Sequence, residues 1–269
     1  EGLYGRRWSV GAPGLGVGTR EGIDLPTGGG AVGAGSGPGR TIKELCAAIE
    51  DRDRLGRLFD REVLDPERGG WSGEDLGLSP RRCLVCGREG KGCASRRLHS
   101  VAELQEKTRE ILTGFFARRD REALAGQAAR ALMYEVCTTP KPGLVDRHNN
   151  GSHRDMDLFT FLDSTTALLP YWHQAVSIGQ ETVGLLPEET FAPLRAAGLA
   201  PARAMFRATG GVTTPKGAVL PLGCVLGAAG RLWTPEGPCR DAARLLAECA
   251  LMSASAAEEA FSALTPETA

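Results

Sequence analysis

Between Thr139 and Met156 the chain reads TPKPGLVDRHNNGSHRDM, which gathers Lys141, Asp146, Arg147, His148, His153, Arg154 and Asp155 into one segment. Pro142-Gly143 and Asn150-Gly151 are strong turn signals. Apolar, helix-like sequence flanks the segment on both sides. A loop this charged on a packed helical scaffold is where function concentrates. Several cations beside two carboxylates suit a nucleotide phosphate chain and its metal ion.

A second polar loop, ATGGVTTPKG at 208–217, also lies between two apolar helices. The amides around Gly210-Gly211, the N-terminus of the following helix, and Lys216-Gly217 would together make an anion site. A solvated loop lysine is the alternative for Lys216 alone.

Upstream stand two further constellations. In LGRLFDREVLD at 55–65, Asp60 and Glu62 are two residues apart. On a strand that spacing puts both carboxylates on one face, where they could bind Mg2+ for phosphoryl chemistry; D-x-E on a solvated face is the common alternative. In PRRCLVCGREGKGCASRRLH at 80–99, Cys83, Cys86, Cys93 and His99 offer three thiolates and an imidazole, the inventory of tetrahedral Zn2+. A compact turn with partly buried thiols is the alternative. Arg81, Arg82, Arg88, Lys91, Arg96 and Arg97 surround this knuckle. They could meet phosphates, but no aromatic side chains are interleaved to stack bases.

The elements that must position these groups follow from periodicity. Residues 1–40 are glycine-rich and predict an irregular segment or linker. Thr41–Glu50 predicts a short amphipathic helix with Thr41 as N-cap and Glu44 closing a capping box. Leu58, Val63 and Leu64 predict a strand edge. Val101–Arg118 predicts an amphipathic helix, and Arg118-Arg119-Asp120-Arg121 a charged break at a domain boundary near 117–121. From Glu122 onward the pattern is helical, with helices at 124–136, 157–178, 187–207, 218–233 and 240–264. The expected fold is therefore multi-domain: a small α+β N-terminal part, then an all-α domain of packed antiparallel helices.

Bulk properties bound the function. At 269 residues the chain can bury two cores. A net charge of −1 gives no global field to favour nucleic acid or membrane. No apolar run reaches membrane-spanning length and no signal peptide is visible. Eight cysteines, mostly scattered, fit reduced thiols in the cytoplasm better than a disulfide framework.

Two resemblances meet in these motifs. LMYEVCTTPKPGLVDRHNNGSHRDM at 132–156 and MFRATGGVTTPKGAVLPLG at 205–223 resemble the triphosphoribosyl-dephospho-CoA synthase family. LGRLFDREV and the knuckle at 80–99 resemble the C-terminal half of the citrate lyase holo-acyl-carrier-protein synthase family, with an echo at Glu1-Gly2-Leu3-Tyr4. Together they resemble the fused CitX–CitG type. The resemblance implies three segments: an irregular 1–40, the C-terminal part of a phosphoribosyl-dephospho-CoA transferase domain at 41–117, and the N-terminal part of a synthase domain at 122–269. The chain is then expected to be a piece spanning the junction of a longer fusion, since the transferase's first half and the synthase's last portion are not found in it.

The resemblance also implies the chemistry. The synthase joins ATP to 3′-dephospho-CoA, the ribose 2′-hydroxyl displacing adenine from C1 of the ATP ribose. The transferase then moves the product onto a serine of the citrate lyase acyl carrier (gamma) subunit, releasing pyrophosphate. On this reading Lys141, Arg147 and Lys216, with Gly210, Gly211 and Gly217, bind the triphosphate. Asp146 and Asp155 hold Mg2+ or act as base, and His153 is a base or an adenine-side donor. Asp60 and Glu62 hold Mg2+ for the transfer step, with Asp60 counted among the catalytic groups, and Arg57 and Arg82 meet the substrate's phosphates. Two positions depart from the families' usual residues: Pro215 replaces a histidine, removing an imidazole and a backbone donor, and Glu62 replaces an aspartate. A malonate decarboxylase counterpart of the synthase, and a zinc-knuckle binding module fused to a helical interaction domain, are the competing readings.

Overall fold

The computed structural model describes residues 16–25, 28–212, 214 and 216–264, and the side chains of 36–201, 203–212, 214 and 217–259. The echo at 1–4, Thr213 and Pro215 lie outside the described residues. The chain is mostly helical with two small antiparallel sheets, and it divides into two compact units, 1–112 and 113–269.

The first unit begins with a correction. The glycine-rich stretch, expected to be irregular, carries strands β1 (Gly16–Leu25) and β2 (Gly28–Ser36). They pair antiparallel from Gly16 opposite Ser36 to Leu25 opposite Gly28, with an irregularity between Val17 and Arg20. Ladder pairing uses backbone groups that every residue here supplies, which composition does not register. Helix α1 (Gly39–Asp51) starts two residues before the expected Thr41 cap, after Pro38, and no side chain caps it. Arg40 instead pairs with Glu44 at 3.0 Å, taking the carboxylate assigned to the capping box.

Strands β3 (Val63–Asp65) and β4 (Gly69–Trp71) form a short hairpin against α1. The expected strand thus starts only at Val63, and Asp60 and Glu62 precede it. The reason is local. The Arg61 amide donates to Glu50 Oε1 at 2.7 Å and the Phe59 carbonyl accepts from Arg81 Nη2 at 2.5 Å, so neither group enters a ladder. Among the described residues of this unit, only Val63, Cys93 and Ile111 are buried apolar side chains. That is a thin core for a domain of this size.

Helix α2 (Gly90–Ser95) carries Cys93, and α3 (Val101–Cys137) runs unbroken through the expected boundary. Arg118-Arg119-Asp120-Arg121 contains no helix breaker, and Asp120 and Arg121 find partners on neighbouring elements. Asp120, buried, accepts from Trp233 Nε1 at 3.0 Å, and Arg121 reaches Ser177 Oγ at 3.0 Å. The division between the two units falls inside this helix.

The second unit is built from the latter part of α3 with α4 (Leu158–Glu181), α5 (Phe191–Ala208), α6 (Lys216–Arg231) and α7 (Ala242–Leu264). No strand occurs in it among the described residues. Asp157 caps α4 through a reciprocal box with Thr160, bonds of 2.8 and 3.2 Å. The core centres on Tyr171 and Trp172 of α4, Leu194 and Met205 of α5, Leu226 of α6 and Met252 of α7. Helices α4 and α6 are the most extensively packed pair, joined at a glycine seam. A Cβ at Gly179 would lie 2.0 Å from the Gly227 oxygen, and one at Gly230 2.2 Å from the Val176 oxygen.

The direction of that pair matters for function. Arg231, at the end of α6, bonds the carbonyls of Thr182 and Leu185, just past the end of α4. Earlier in both helices, Tyr171 lies against Gly223. The two helices therefore run the same way, and their N-termini point to one end of the unit. The loops at 139–156 and 208–217, which feed those N-termini, leave from that same end. No helix among the described residues is long and apolar enough to cross a membrane.

Candidate functional site

The opening loop is a folded object rather than a loose connection. Asp146 is its hub. Its Oδ1 accepts from the amides of His148 (2.8 Å) and Asn149 (3.0 Å) and from Asn149 Nδ2 (3.3 Å); its Oδ2 accepts from Thr139 Oγ1 (2.8 Å) and the Lys141 amide (3.4 Å). These donors, led by the His148 amide, hold the carboxyl down at about 2. A carboxylate offers about four lone-pair sites, so five donors fill it. In this arrangement Asp146 organises the loop, with both carboxylate oxygens engaged by these donors.

Glycine geometry closes the same loop. Gly151 has φ +57, and a Cβ there would lie 2.5 Å from the Gly143 carbonyl carbon. Ser152 N bonds the Gly143 oxygen at 3.2 Å across this crossing. Val145 is buried beneath it.

The expected phosphate ligands separate into two kinds. Lys141 is held, its Nζ 2.7 Å from Glu135 Oε1 and 3.1 Å from the Glu135 carbonyl at the end of α3. Arg147 is exposed and has no partner among the described residues. His153 Nδ1 lies 3.9 Å from Asp155 Oδ1, beyond hydrogen-bond distance, and Asp155 is 63% exposed.

In the second loop, Gly210 (φ +64) and Gly211 (φ +99) end α5. Their amides bond the Arg207 and Phe206 oxygens at 3.3 and 2.8 Å. This closing turn consumes two N–H groups expected to face an anion, because a helix C-terminus must satisfy its last carbonyls. What remains at this loop is the N-terminus of α6, opening at Lys216 and Gly217. Gly217 has neither positive φ nor any atom within 4 Å of a Cβ, so the fold itself does not demand glycine there. The Thr214 hydroxyl beside it is buried and unpaired.

The first unit holds two further groups. Arg57 and Arg82, expected to meet phosphates, do come together: Arg57 Nη2 donates to the Arg82 carbonyl at 2.7 Å. Both line a hollow of about 150 Å3 with Arg54, Cys83, Leu84, Lys107 and Ile111. Sequence reasoning missed Lys107, which reaches the hollow from a distant segment, and Arg54, whose turn three residues before Arg57 carries no motif. Glu110 pairs with both, at 3.5 and 2.6 Å. Asp60, expected to ligate a metal, is 84% exposed and paired with Arg81 at 2.9 Å. Glu62 is exposed as well. Neither belongs to any set of three or more potential ligands among the described residues. The buried carboxylate of this region is Glu50, also bonded to Arg81, at 3.4 Å.

Such a set does form at the knuckle. One ligand atom from each of Cys83, Cys86, Cys93 and His99 lies within 4.8 Å of the others. Cys86 Sγ is 3.4 Å from Cys93 Sγ. The Cys86 amide holds the Cys83 thiol below its usual value, while the hydrogen bond with Cys86 pushes Cys93 up to about 11.

Comparison with known proteins bears on both halves. The family model described as ATP:dephospho-CoA triphosphoribosyl transferase (CitG) matches residues 121–269, and that described as apo-citrate lyase phosphoribosyl-dephospho-CoA transferase (CitX) matches 15–115. Protein CitXG of Leuconostoc mesenteroides subsp. cremoris is 38% identical over 198 residues, covering 71% of this chain and 42% of that protein. Protein CitXG of Haemophilus influenzae is 40% identical over 194 residues, covering 72% and 41%. The 2-(5''-triphosphoribosyl)-3'-dephosphocoenzyme-A synthase of Haemophilus ducreyi is 41% identical over 147 residues, covering 55% and 45%. The chain thus spans about two fifths of the length of these relatives. With more than half of its residues matched by the first family, the second family matched ahead of it, and relatives named CitXG matched over more than two thirds of the chain, the chain belongs to the ATP:dephospho-CoA triphosphoribosyl transferase family, as a CitX–CitG fusion.

Proposed function

We propose that this chain serves the making and attachment of the citrate lyase prosthetic group. Residues 122–269 are the N-terminal part of the synthase domain and 41–117 the C-terminal part of the transferase domain, with the β1–β2 hairpin inside the stretch that the CitX family model matches. The fold this assigns is a small α+β part followed by an all-α domain. The observation that carries the synthase reading is the parallel α4–α6 pair, which brings the two polar loops to one end of the helical unit.

In the first reaction the 2′-hydroxyl of 3′-dephospho-CoA attacks C1 of the ATP ribose. The C–N bond to adenine breaks, the hydroxyl proton goes to a base, and adenine leaves with a proton. His153, with the Asp155 carboxylate 3.9 Å away, is the group we assign to moving a proton. Arg147 is free to meet the triphosphate, joined by Lys141 on release from Glu135 and by the α6 N-terminus at Lys216-Gly217.

Mg2+ fits here as an ion that arrives on the triphosphate. Among the described residues no carboxylate cage is preformed, and Mg2+ is commonly held by substrate phosphates with one or two carboxylates. Asp155, 63% exposed, is a carboxylate open to such an ion; when bound, the ion would neutralise phosphate charge.

In the second reaction the serine hydroxyl of the acyl carrier subunit attacks the phosphorus nearest the ribose, and the bond to pyrophosphate breaks. The cationic hollow of Arg54, Arg57, Arg82 and Lys107 suits those phosphates. Eight free cysteines suit a reducing cytoplasm.

The test is to incubate the chain, and a longer version that includes the rest of the relatives' length, with MgATP and 3′-dephospho-CoA, and to follow free adenine by chromatography. Stoichiometric adenine and a triphosphoribosyl product by mass spectrometry are expected from the longer version. Hydrolysis of ATP to ADP with no adenine would overturn the reading.

A further inference from the structure

We propose that Cys83, Cys86, Cys93 and His99 bind one structural zinc ion, which closes the first unit and fixes one wall of its cationic hollow.

The geometry is that of a site already folded. The four residues come from three local elements: a tight turn for Cys83 and Cys86, helix α2 for Cys93, and the segment entering α3 for His99. Zinc–sulfur bonds of about 2.3 Å in a tetrahedron put ligand atoms about 3.7 Å apart. The observed set lies within 4.8 Å, with the Cys86–Cys93 sulfurs at 3.4 Å; binding needs only a small adjustment, the wider separations closing and that sulfur pair opening slightly.

Backbone features with no other evident purpose hold the set. Gly87 N bonds the Cys83 oxygen at 3.0 Å, and the Cys83 amide bonds the Arg88 oxygen at 2.6 Å. Gly87 sits at φ +72 to make this turn. A Cβ at Gly90 would lie 2.9 Å from the Arg81 oxygen, so α2 begins pressed against the segment that leads into Cys83. Beyond α2, Arg97 is the one non-glycine residue at positive φ (48) among those described. With Leu98 N on the Cys93 oxygen at 3.1 Å, that kink returns the chain so that His99 joins the thiols.

Two observations point to an ion rather than to packing. Nε2 of His99 is buried with no hydrogen-bond partner. A buried imidazole nitrogen facing no donor or acceptor carries an uncompensated desolvation cost, which a metal bond removes. And this unit buries few apolar side chains, the situation in which small domains use a metal as a staple. The donor set chooses the ion: three thiolates and an imidazole disfavour Mg2+ and Ca2+ and favour Zn2+. Binding balances as Zn2+ plus three thiols and a neutral imidazole giving the tris-thiolate complex and three protons to solvent.

The consequence reaches the hollow. Cys83 is both a ligand and part of its lining, and the neighbouring Arg82 carbonyl holds Arg57. A zinc ion would therefore pin Arg57 and Arg82 from behind.

The test uses the whole chain, purified without a metal-affinity step. About one zinc per chain by elemental analysis is expected, together with a lower unfolding temperature after chelation. Replacement by Co2+ should give thiolate charge-transfer and tetrahedral d–d bands. His99→Cys should keep the metal with a shifted cobalt spectrum, and Cys93→Ser should lose it. Because the unmutated chain supplies both stoichiometry and spectrum, misfolding of a variant does not decide the matter. Absence of metal with no cobalt spectrum, or a Cys86–Cys93 disulfide by peptide mapping, would overturn the proposal. Adenine formation is read separately, so either proposal can fail alone.

Discussion

Arg231 Nη1, at the last turn of α6, donates to the carbonyl oxygen of Thr182, the residue that closes α4. The same guanidinium bonds Thr190 Oγ1 and the Leu185 oxygen, each at 3.0 Å, and lies 2.5 Å from Glu248 Oε1. It is buried, so its charge is matched by one carboxylate and its donors by the carbonyls at and beyond the end of α4. Arg231→Met leaves Glu248 unpaired and is expected to cost about 3–5 kcal/mol in urea unfolding. The loops at the opposite end are untouched, so MgATP affinity of the folded variant should stay within about threefold. Loss of ATP binding with unchanged stability would contradict the placement of the loops.

Lys141 and Glu135 give a second prediction. Their 2.7 Å pair keeps the ammonium on the end of α3, yet Glu135 is 58% exposed. A phosphate approaching the loop must compete with that carboxylate. Glu135→Gln weakens the competitor and should tighten MgATP by a few-fold, on the order of 1 kcal/mol. Lys141→Ala should weaken it. If Glu135→Gln leaves affinity unchanged and lowers only the melting temperature, Lys141 is a strut for the loop.

These two pairs also show what the residue pattern could and could not convey. The five helices of the second unit were legible because their apolar residues recur at helical spacing over long stretches. The Cys/His set was legible because zinc-type spacing is local. The pairing of Lys141 was not, since a loop lysine reads the same whether it faces solvent, substrate or Glu135. Asp60 and Glu62 looked like strand neighbours, but side-chain bonds from Glu50 and Arg81 take the backbone groups a strand would use. Lys107, fifty residues along the chain, joins Arg57 only through tertiary folding.

Asp146 predicts a pH dependence. Its folded carboxyl is held down at about 2 by the amides around it, below the usual carboxylate range. A depressed carboxylate contributes stability that is fully present above its unfolded value, about 3.9, and is lost as pH falls through the folded value. Asp146→Asn should therefore lower the melting temperature at pH 7, with the gap to the unmodified chain closing between about pH 4 and pH 2. An amide NH2 facing backbone donors also breaks the loop, so MgATP affinity should fall in parallel. A gap that is constant with pH would assign the loss to packing alone.

The glycine seam predicts a steric limit. A Cβ at Gly179 would meet the Gly227 oxygen at 2.0 Å and the Arg231 amide nitrogen at 3.0 Å, both backbone atoms that cannot swing aside. Gly179→Ala must push α4 and α6 apart. Overpacking of this kind costs about 1–3 kcal/mol or more. By contrast Gly184→Ala, where nothing lies within 4 Å, should change stability by less than about 0.5 kcal/mol. Similar effects for the two substitutions would mean that α4 and α6 are not in the close contact described.

The last prediction concerns the hollow of the first unit. Lys107 lines it while paired with Glu110 at 2.6 Å, and Arg57 lines it while bonded to Asp51 at 3.0 Å and to the Arg82 carbonyl. Both cations are held in place by a neighbour and remain on the wall, an arrangement that suits an anion arriving between them. Pyrophosphate, the leaving group of the second reaction we propose, is a suitable probe. Arg57→Ala and Lys107→Ala should each weaken its binding by about tenfold, the range of one charge-assisted contact. Lys91→Ala removes a cation that pairs with Glu74 away from the lining, and should change affinity by less than about twofold. Calorimetry at two salt concentrations checks this, because loss of an ionic contact also flattens the salt dependence. If Lys91→Ala weakens binding as much as Lys107→Ala, diffuse surface charge attracts the anion and the hollow is no site.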